Sequence, residues 1–274
     1  KIGGTIDWTC EKSNIVEAIA KAVKLPAEQI GNESVKSLVN LDSNIKVKLY
    51  GQDQVVDDVL ERIYVARAGL KAVNKPIGSF LFLGPTGTGK TELARLLSKN
   101  LDMPLMKYDM SEYGEKFAVS ALIGAPPGYL GHRETTPMLT QQKLNGVTSE
   151  SSNLSLVLFD EIEKAAPSMM RILLGVLDKA TLRLGDNTAV NFDRSMIFLT
   201  SNLGAAEMKR ETGSGFGLAS VAKRAQPTAS KLNRIGMGAV KRRFAPEFVN
   251  RIDEIVRFRS LEQADLGAIV DIQL

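Results

Sequence analysis

Lys90, Thr91, Asp160 and Glu161 are the residues whose types and spacing could carry chemistry in this chain. The run Gly84-Pro-Thr-Gly-Thr-Gly-Lys90-Thr91 fits every fixed position of the phosphate-binding pattern G-x-x-x-x-G-K-[ST]. Pro85, Thr86, Gly87, Thr88 and Gly89 form the wall of such a loop. Its glycines let successive backbone N–H groups turn inward around phosphates, and the helix N-terminus that follows favours an anion. Lys90 would reach the β- and γ-phosphates, and the Thr91 hydroxyl would hold Mg²⁺. The flanks agree: the apolar Phe80-Leu-Phe-Leu83 leads in as a strand, and Glu92–Ser98 follows as a helix. The alternative, a glycine-rich turn without a ligand, leaves the Lys-Thr pair unexplained. The pattern therefore implies binding of a nucleoside triphosphate.

A second element lies about 70 residues on, where Leu156-Val-Leu-Phe159 runs into Asp160-Glu161. A carboxylate at the end of an apolar strand can hold Mg²⁺ through its water shell, and the next one can take a proton from an attacking water. Alone, the same residues read equally well as a buried strand ending in a solvated acidic turn. Following a phosphate loop, the catalytic reading is the stronger. A third apolar strand, Ser195–Thr200, ends in Ser201-Asn202. By spacing alone Asn202 reads as the cap of a helix beginning near Ala205, a position asparagine favours. An orienting contact to a γ-phosphate is the other reading.

These residues need a scaffold, and the pattern supplies one. Strand-like runs at 79–83, 105–109, 154–159, 195–200 and 254–258 alternate with helical runs at 91–100, 115–123, 137–144, 167–179 and 232–244. The fold class is α/β: five short apolar strands alternating with helices predict a parallel sheet covered on both faces. Thr181–Phe192 reads as a hairpin turning at Gly185-Asp186-Asn187. A helix over 52–67 precedes the first strand, and Ser260 with Gln263 forms a capping box for a helix over 261–273. Residues 1–48 carry no catalytic motif and read as lead-in helices or a linker, with the catalytic unit spanning 49–274.

Composition narrows the class. At 44% hydrophobic and 24% charged residues the chain has the balance of a globular protein. Its apolar runs, about four to five residues long, fall far short of the ~20 needed to cross a bilayer, so no membrane is expected. The single cysteine, Cys10, excludes an internal disulfide and fits a reducing compartment such as the cytoplasm. A net charge of +4 is mild, and the Lys241-Arg242-Arg243 trio reads as the solvated end of a helix. No nucleic acid is expected as a partner. His132, the only histidine, has no Cys or His neighbours and is assigned no metal.

Taken together, GPTGTGKT, FDEIEKA, FLTSNLG and FAPEFVNRIDEIV, with YGQD at 50–53 and DMSEY…LIGAPPGYLG across 109–131, resemble the second ATPase module of the Clp chaperones, ClpA- and ClpC-like, within the AAA+ superfamily. The resemblance covers residues 45–274. It implies a P-loop AAA+ large subdomain with strands in the order 5-1-4-3-2, ATP and Mg²⁺ as ligands, and a sensor role for Asn202. It also implies that Leu49 and Tyr50 line the adenine pocket; as residues they are merely an apolar pair before a helix. Arg251, in Phe248-Val-Asn-Arg251, matches the arginine finger that reaches the γ-phosphate of a neighbouring subunit, whereas its local reading is an ion pair with Asp253 or Glu254. Gly128-Tyr129-Leu130-Gly131 matches the substrate-gripping pore loop, a role that competes with a plain Pro-Gly turn.

The implied activity is ATP hydrolysis driving protein unfolding and translocation through a hexameric ring of this chain's parent. Partners would be unfolded or tagged proteins and a ClpP-type peptidase. Peptidase docking stays open, because Ser214-Gly215-Phe216 has serine where the family tripeptide has an aliphatic residue. The family's small helical subdomain is not found within these residues. Two other readings share the nucleotide motifs: a nucleic-acid-remodelling AAA+ ATPase (helicase or clamp loader), and a scaffold that binds ATP without turnover. The aromatic pore loop argues against the first and Glu161 against the second.

Overall fold

Strand β1, Gly78–Leu83, is buried at every position, which requires cover on both of its faces. The computed structural model describes residues 41–67, 74–125, 136–148, 154–207, 229–261 and 263–273, and shows how that cover is built. β1 lies in a parallel sheet with β2 (Leu105–Asp109), β3 (Ser155–Asp160), β6 (Ser195–Ser201) and β7 (Glu254–Arg257), in the order β2-β3-β6-β1-β7. Strands β4 (Thr181–Arg183) and β5 (Ala189–Asn191) stand apart as an antiparallel hairpin. Counted without the hairpin, this is the order 5-1-4-3-2 that the family resemblance implies.

Alternation along the strands divides the core in two. Phe80, Phe82, Leu156, Leu158, Met196 and Phe198 belong to one cluster, and their neighbours Leu81, Leu83, Val157, Phe159, Ile197 and Leu199 to the other. Since successive strand residues point to opposite faces, the clusters sit on the two sides of the sheet. The first is covered by α1 (Leu41–Lys46), α2 (Asp53–Arg67) and α3 (Lys90–Asn100). Leu41 and Ile45 are fully buried there, so α1 packs directly onto the catalytic unit. The second side is covered by α4 (Lys116–Ile123), α5 (Gln141–Gly146), α6 (Pro167–Lys179), the hairpin, α7 (Ala229–Arg243) and α8 (Pro246–Val249). A last helix, α9, spans Gln263–Gln273.

Three helix starts differ from the sequence expectation by two residues or more, and the first is α7, which begins at Ala229 and not at 232. α5 begins at Gln141 and not near Pro137, because the Met138 and Leu139 amides donate to the Ala121 and Leu122 carbonyls at the end of α4. Thr140 is the cap, its side chain accepting from the Lys143 amide. α9 begins at Gln263, which leaves Ser260 ahead of the helix; Arg259 instead pairs with Asp265 in the first turn.

Register fixes where the site must be. Leu83 stands beside Ser201 and Asp109 beside Asp160, so the chain leaves β1, β3 and β6 at one edge of the sheet. In open α/β sheets that carboxyl edge is where ligands bind.

Candidate active site

The loop after β1 has backbone that only glycine adopts easily. Gly87 and Gly89 have φ of 81° and 96°, and Gly89 is the N-cap of α3 without any side-chain cap. The first amides of α3 are thus left for an anion rather than taken by a neighbouring hydroxyl. A Cβ on Gly87 would meet nothing within 4 Å, so the crest of the loop faces open space, whereas one on Gly89 would lie 2.5 Å from Leu49 Cδ1. Leu49 is therefore packed against the loop, with the half-buried Tyr50 beside it. Thr88 Oγ1 donates to the Pro85 carbonyl at 2.8 Å and closes the turn.

Lys90, the first residue of α3, is buried with its ammonium folded back on the loop. It donates to the Gly84 and Pro85 carbonyls, both at 2.7 Å, and to Asn202 Oδ1 at 2.9 Å. Burial lowers its pKa to about 8, against the opposing pull of the Glu163, Asp160 and Glu161 carboxylates.

Asp160 closes β3 and gathers three donors. Thr91 Oγ1 lies 3.2 Å from Oδ1, Lys107 Nζ on β2 lies 2.7 Å from Oδ2, and Thr200 Oγ1 donates to Oδ1. Burial works to raise the Asp160 pKa, but Lys107, Thr200 and Thr91 outweigh it and hold the carboxyl below its ordinary value. A hydroxyl and an ionised carboxylate this close are hard oxygen donors suited to Mg²⁺.

Glu161 adopts left-handed backbone, φ 55° and ψ 48°, unusual for a residue with a side chain. That kink ends the strand and starts the 3₁₀ turn Ile162–Lys164. Its amide donates to Thr200 Oγ1 at 2.9 Å. Its carboxylate pairs with Lys164 at 2.5 Å and accepts from Asn202 Nδ2 at 3.3 Å. The Asn202 side chain therefore stands between Lys90 and Glu161, with Thr86 Oγ1 also near its Oδ1 at 3.4 Å. Among the described residues only its backbone carbonyl meets the segment it was expected to cap, accepting from Ala205 N at 3.2 Å.

Arg251 lies apart from this network, with no hydrogen bond or ion pair to the phosphate loop or Glu161 among the described residues. The local ion pair expected with Asp253 or Glu254 does not form among the described residues, and a residue distant in sequence takes its place. Arg251 Nε meets Asp178 of α6 at 3.1 Å, while Asp253 is occupied by the Ser79 amide and hydroxyl and Glu254 by Arg62. Gly128, Tyr129, Leu130, Gly131, His132 and Ser214-Gly215-Phe216 lie outside the described residues. The basic trio is not simply solvated: Arg242 pairs with Glu207, and Arg243 donates twice to the Glu163 carbonyl.

The sequence reading assigned no role to Thr200, Lys107, Lys164 or Glu163. Thr200 left a trace, a polar residue inside an apolar strand. Lys107 left none, since nothing in its neighbourhood reveals that β2 lies beside β3.

The family model described as AAA domain (Cdc48 subfamily) matches residues 75–255, which hold the phosphate loop, Asp160, Glu161, Asn202 and Arg251. The chain belongs to that family. As an AAA+ ATPase domain it is a nucleotide-binding fold, and its relatives are of Clp type. It is 39% identical over 270 residues to the ATP-dependent Clp protease ATP-binding subunit ClpC of Staphylococcus epidermidis, covering 97% of this chain and 32% of that protein. It is 38% identical to the chaperone protein ClpB of Brucella suis, covering 99% of this chain and 29% of that protein. This AAA+ chain thus spans about a third of the length of the curated relatives it matches. The solved S. cerevisiae Hsp104:casein complex is 31% identical with a TM-score of 0.72, over 96% of this chain and 43% of that one.

Proposed function

We propose that this chain is the ATP-hydrolysing module of a Clp-type protein unfoldase that works as a hexameric ring in the cytoplasm, with residues 49–274 as its large subdomain and residues 1–48 as the lead-in. The observation that carries the reading is the continuous polar chain Lys90–Asn202–Glu161, beside Thr91 and Asp160, at the carboxyl edge of the sheet. Each residue then has a task that its surroundings suit. The Gly84–Gly89 amides and the α3 N-terminus receive the phosphates, and Lys90 exchanges its carbonyl partners for phosphate oxygens. Thr91 and Asp160 hold Mg²⁺, which when bound neutralises charge on the β- and γ-oxygens. Glu161 takes a proton from the attacking water, and Asn202 keeps its carboxylate in line with the terminal phosphate. Leu49 and Tyr50 flank the base, and Leu49's contact with Gly89 supports that placement.

Arg251 serves the site of the adjacent subunit, where a planar cation stabilises charge spreading over phosphoryl oxygens. Its pairing with Asp178, and not with this chain's own network among the described residues, supports action in trans. Tyr129, between Gly128 and Gly131, grips the threaded polypeptide. Protein is the better candidate for that polymer than nucleic acid, since the relatives are chaperones and protease subunits and one is solved with casein. Whether a peptidase receives the product depends on Ser214-Gly215-Phe216. Steady-state ATPase of the assembled protein, with unfolded casein or single-stranded DNA added, tests the reading. Stimulation by casein alone is expected; stimulation by DNA alone would transfer the module to the nucleic-acid class.

A further inference from the structure

Two residues past Glu161, the turn Ile162–Lys164 carries a carboxylate with an unusual setting. Glu163 Oε1 accepts from the backbone amide of Asn202 at 2.9 Å. Its Oε2 is buried without a hydrogen-bond partner among the described residues. A buried charged oxygen left unsatisfied is costly, and where one persists the surrounding structure holds it there for a reason. The amide it binds belongs to the first residue beyond β6, where the strand ladder no longer fixes the backbone. The orientation of Asn202 thus depends on Glu163.

The turn itself is clamped from another element. Arg243, the last residue of α7, donates to the Glu163 carbonyl from Nε at 2.9 Å and Nη2 at 2.5 Å, and lies 3.4 Å from the Ala165 carbonyl. A planar fork closing on main-chain oxygens sets the position of the turn, which a single lysine donor would not do as well.

We infer that Glu163 is a positioning residue for Asn202, and that Arg243 holds Glu163 in place from α7. Together they determine whether the Asn202 amide can span Lys90 and Glu161, the gap that a terminal phosphate enters. The inference rests on the ATPase reading. Its consequence is specific: loss of the Glu163–Asn202 bond should weaken binding of a triphosphate and leave a diphosphate, which does not reach Asn202, unaffected.

The test is equilibrium binding of fluorescent, non-hydrolysable ATP and of fluorescent ADP to the 274-residue chain, with Mg²⁺ present. Glu163→Leu should lower the preference for ATP over ADP by about tenfold, the scale of one charge-assisted hydrogen bond, with ADP affinity unchanged. Glu163→Gln keeps an oxygen that can accept from the Asn202 amide and should retain the preference. Arg243→Met should reproduce the Glu163→Leu effect more weakly, with Arg243→Lys between it and wild type. Should Glu163→Leu fail to fold, the exposed Arg243 pair decides alone. An unchanged ATP preference in the folded variants, an equal loss of ATP and ADP binding, or a wild-type chain that does not discriminate between them, overturns the inference. A wild-type chain that binds neither nucleotide defeats the ATPase reading instead.

Discussion

Without nucleotide, the Lys90 ammonium satisfies itself on Gly84, Pro85 and Asn202, and burial holds its pKa near 8. A phosphate beside it favours the protonated form, so ATP affinity should be flat below pH 8 and fall about tenfold per unit above it, until the bound-state pKa is reached. Stability without ligand runs the other way. The unfolded lysine, near 10.5, holds its proton more tightly than the folded one, so the nucleotide-free fold gains stability as pH rises from about 8 to about 10.5. Titration of a fluorescent ATP analogue between pH 7 and 9.5 measures the first effect. Lys90→Met should remove the pH dependence and weaken binding by at least about tenfold; a flat profile in wild type would mean that Lys90 does not meet the phosphates. Glu161 gives the complementary case. Glu161→Gln cannot take the water's proton, so the assembled enzyme should lose about two to four orders of magnitude in turnover while its ATP affinity stays within twofold of wild type. Turnover near the wild-type rate would move the general base elsewhere.

The phosphate loop is held from behind by an element whose role the sequence did not disclose. Gln52, 2% exposed at the start of α2, donates to the Thr88 carbonyl at 3.3 Å and the Arg259 carbonyl at 2.9 Å, and accepts from the Arg259 amide at 3.1 Å. One amide thus joins α2, the loop and the chain leaving β7. Gln52→Leu fills similar space but strands those main-chain groups, and should cost about 2 kcal/mol. Urea denaturation should show a lower midpoint at unchanged slope; a midpoint equal to wild type would make Gln52 a bystander. This contact shows where sequence reading stops. The five strands were legible because runs such as Phe80–Leu83 and Leu156–Phe159 are continuously apolar, and the phosphate loop because its glycines and Lys-Thr are consecutive. Gln52 and Arg259 are 207 positions apart, and no local pattern pairs them. Asn202 was ambiguous for the same reason. Its cap-like position is local, whereas its partners Lys90 and Glu161 come from two other strand ends. The start of α5 was misplaced because Met138 and Leu139 answer to α4, not to their own helical propensity.

At the scale of the whole molecule, one group of the proposed site stands apart from the others among the described residues. Arg251 is half-exposed, tied through Nε to Asp178, and separate from the network around Lys90. A guanidinium fixed at Nε can present its two remaining nitrogens as a fork, so the ion pair would aim the finger outward. Action across a subunit boundary predicts that Arg251→Ala leaves ATP affinity of the isolated chain unchanged. Turnover of the assembled protein should then fall by about 10³–10⁵, the range for trans arginine fingers. Asp178→Asn should lower turnover by a smaller factor, again without changing affinity, since it loosens the aim and keeps the cation. Mixed assemblies separate this from an ordinary defect. Arg251→Ala subunits retain Glu161, and Glu161→Gln subunits retain the finger, so a boundary that joins an intact site to an intact finger forms only when the two are combined. Activity should therefore rise on mixing two nearly inactive preparations, with a maximum at intermediate ratios. If mixing restores nothing, or if the isolated chain hydrolyses ATP briskly without dependence on Arg251, the finger acts within its own subunit or not at all.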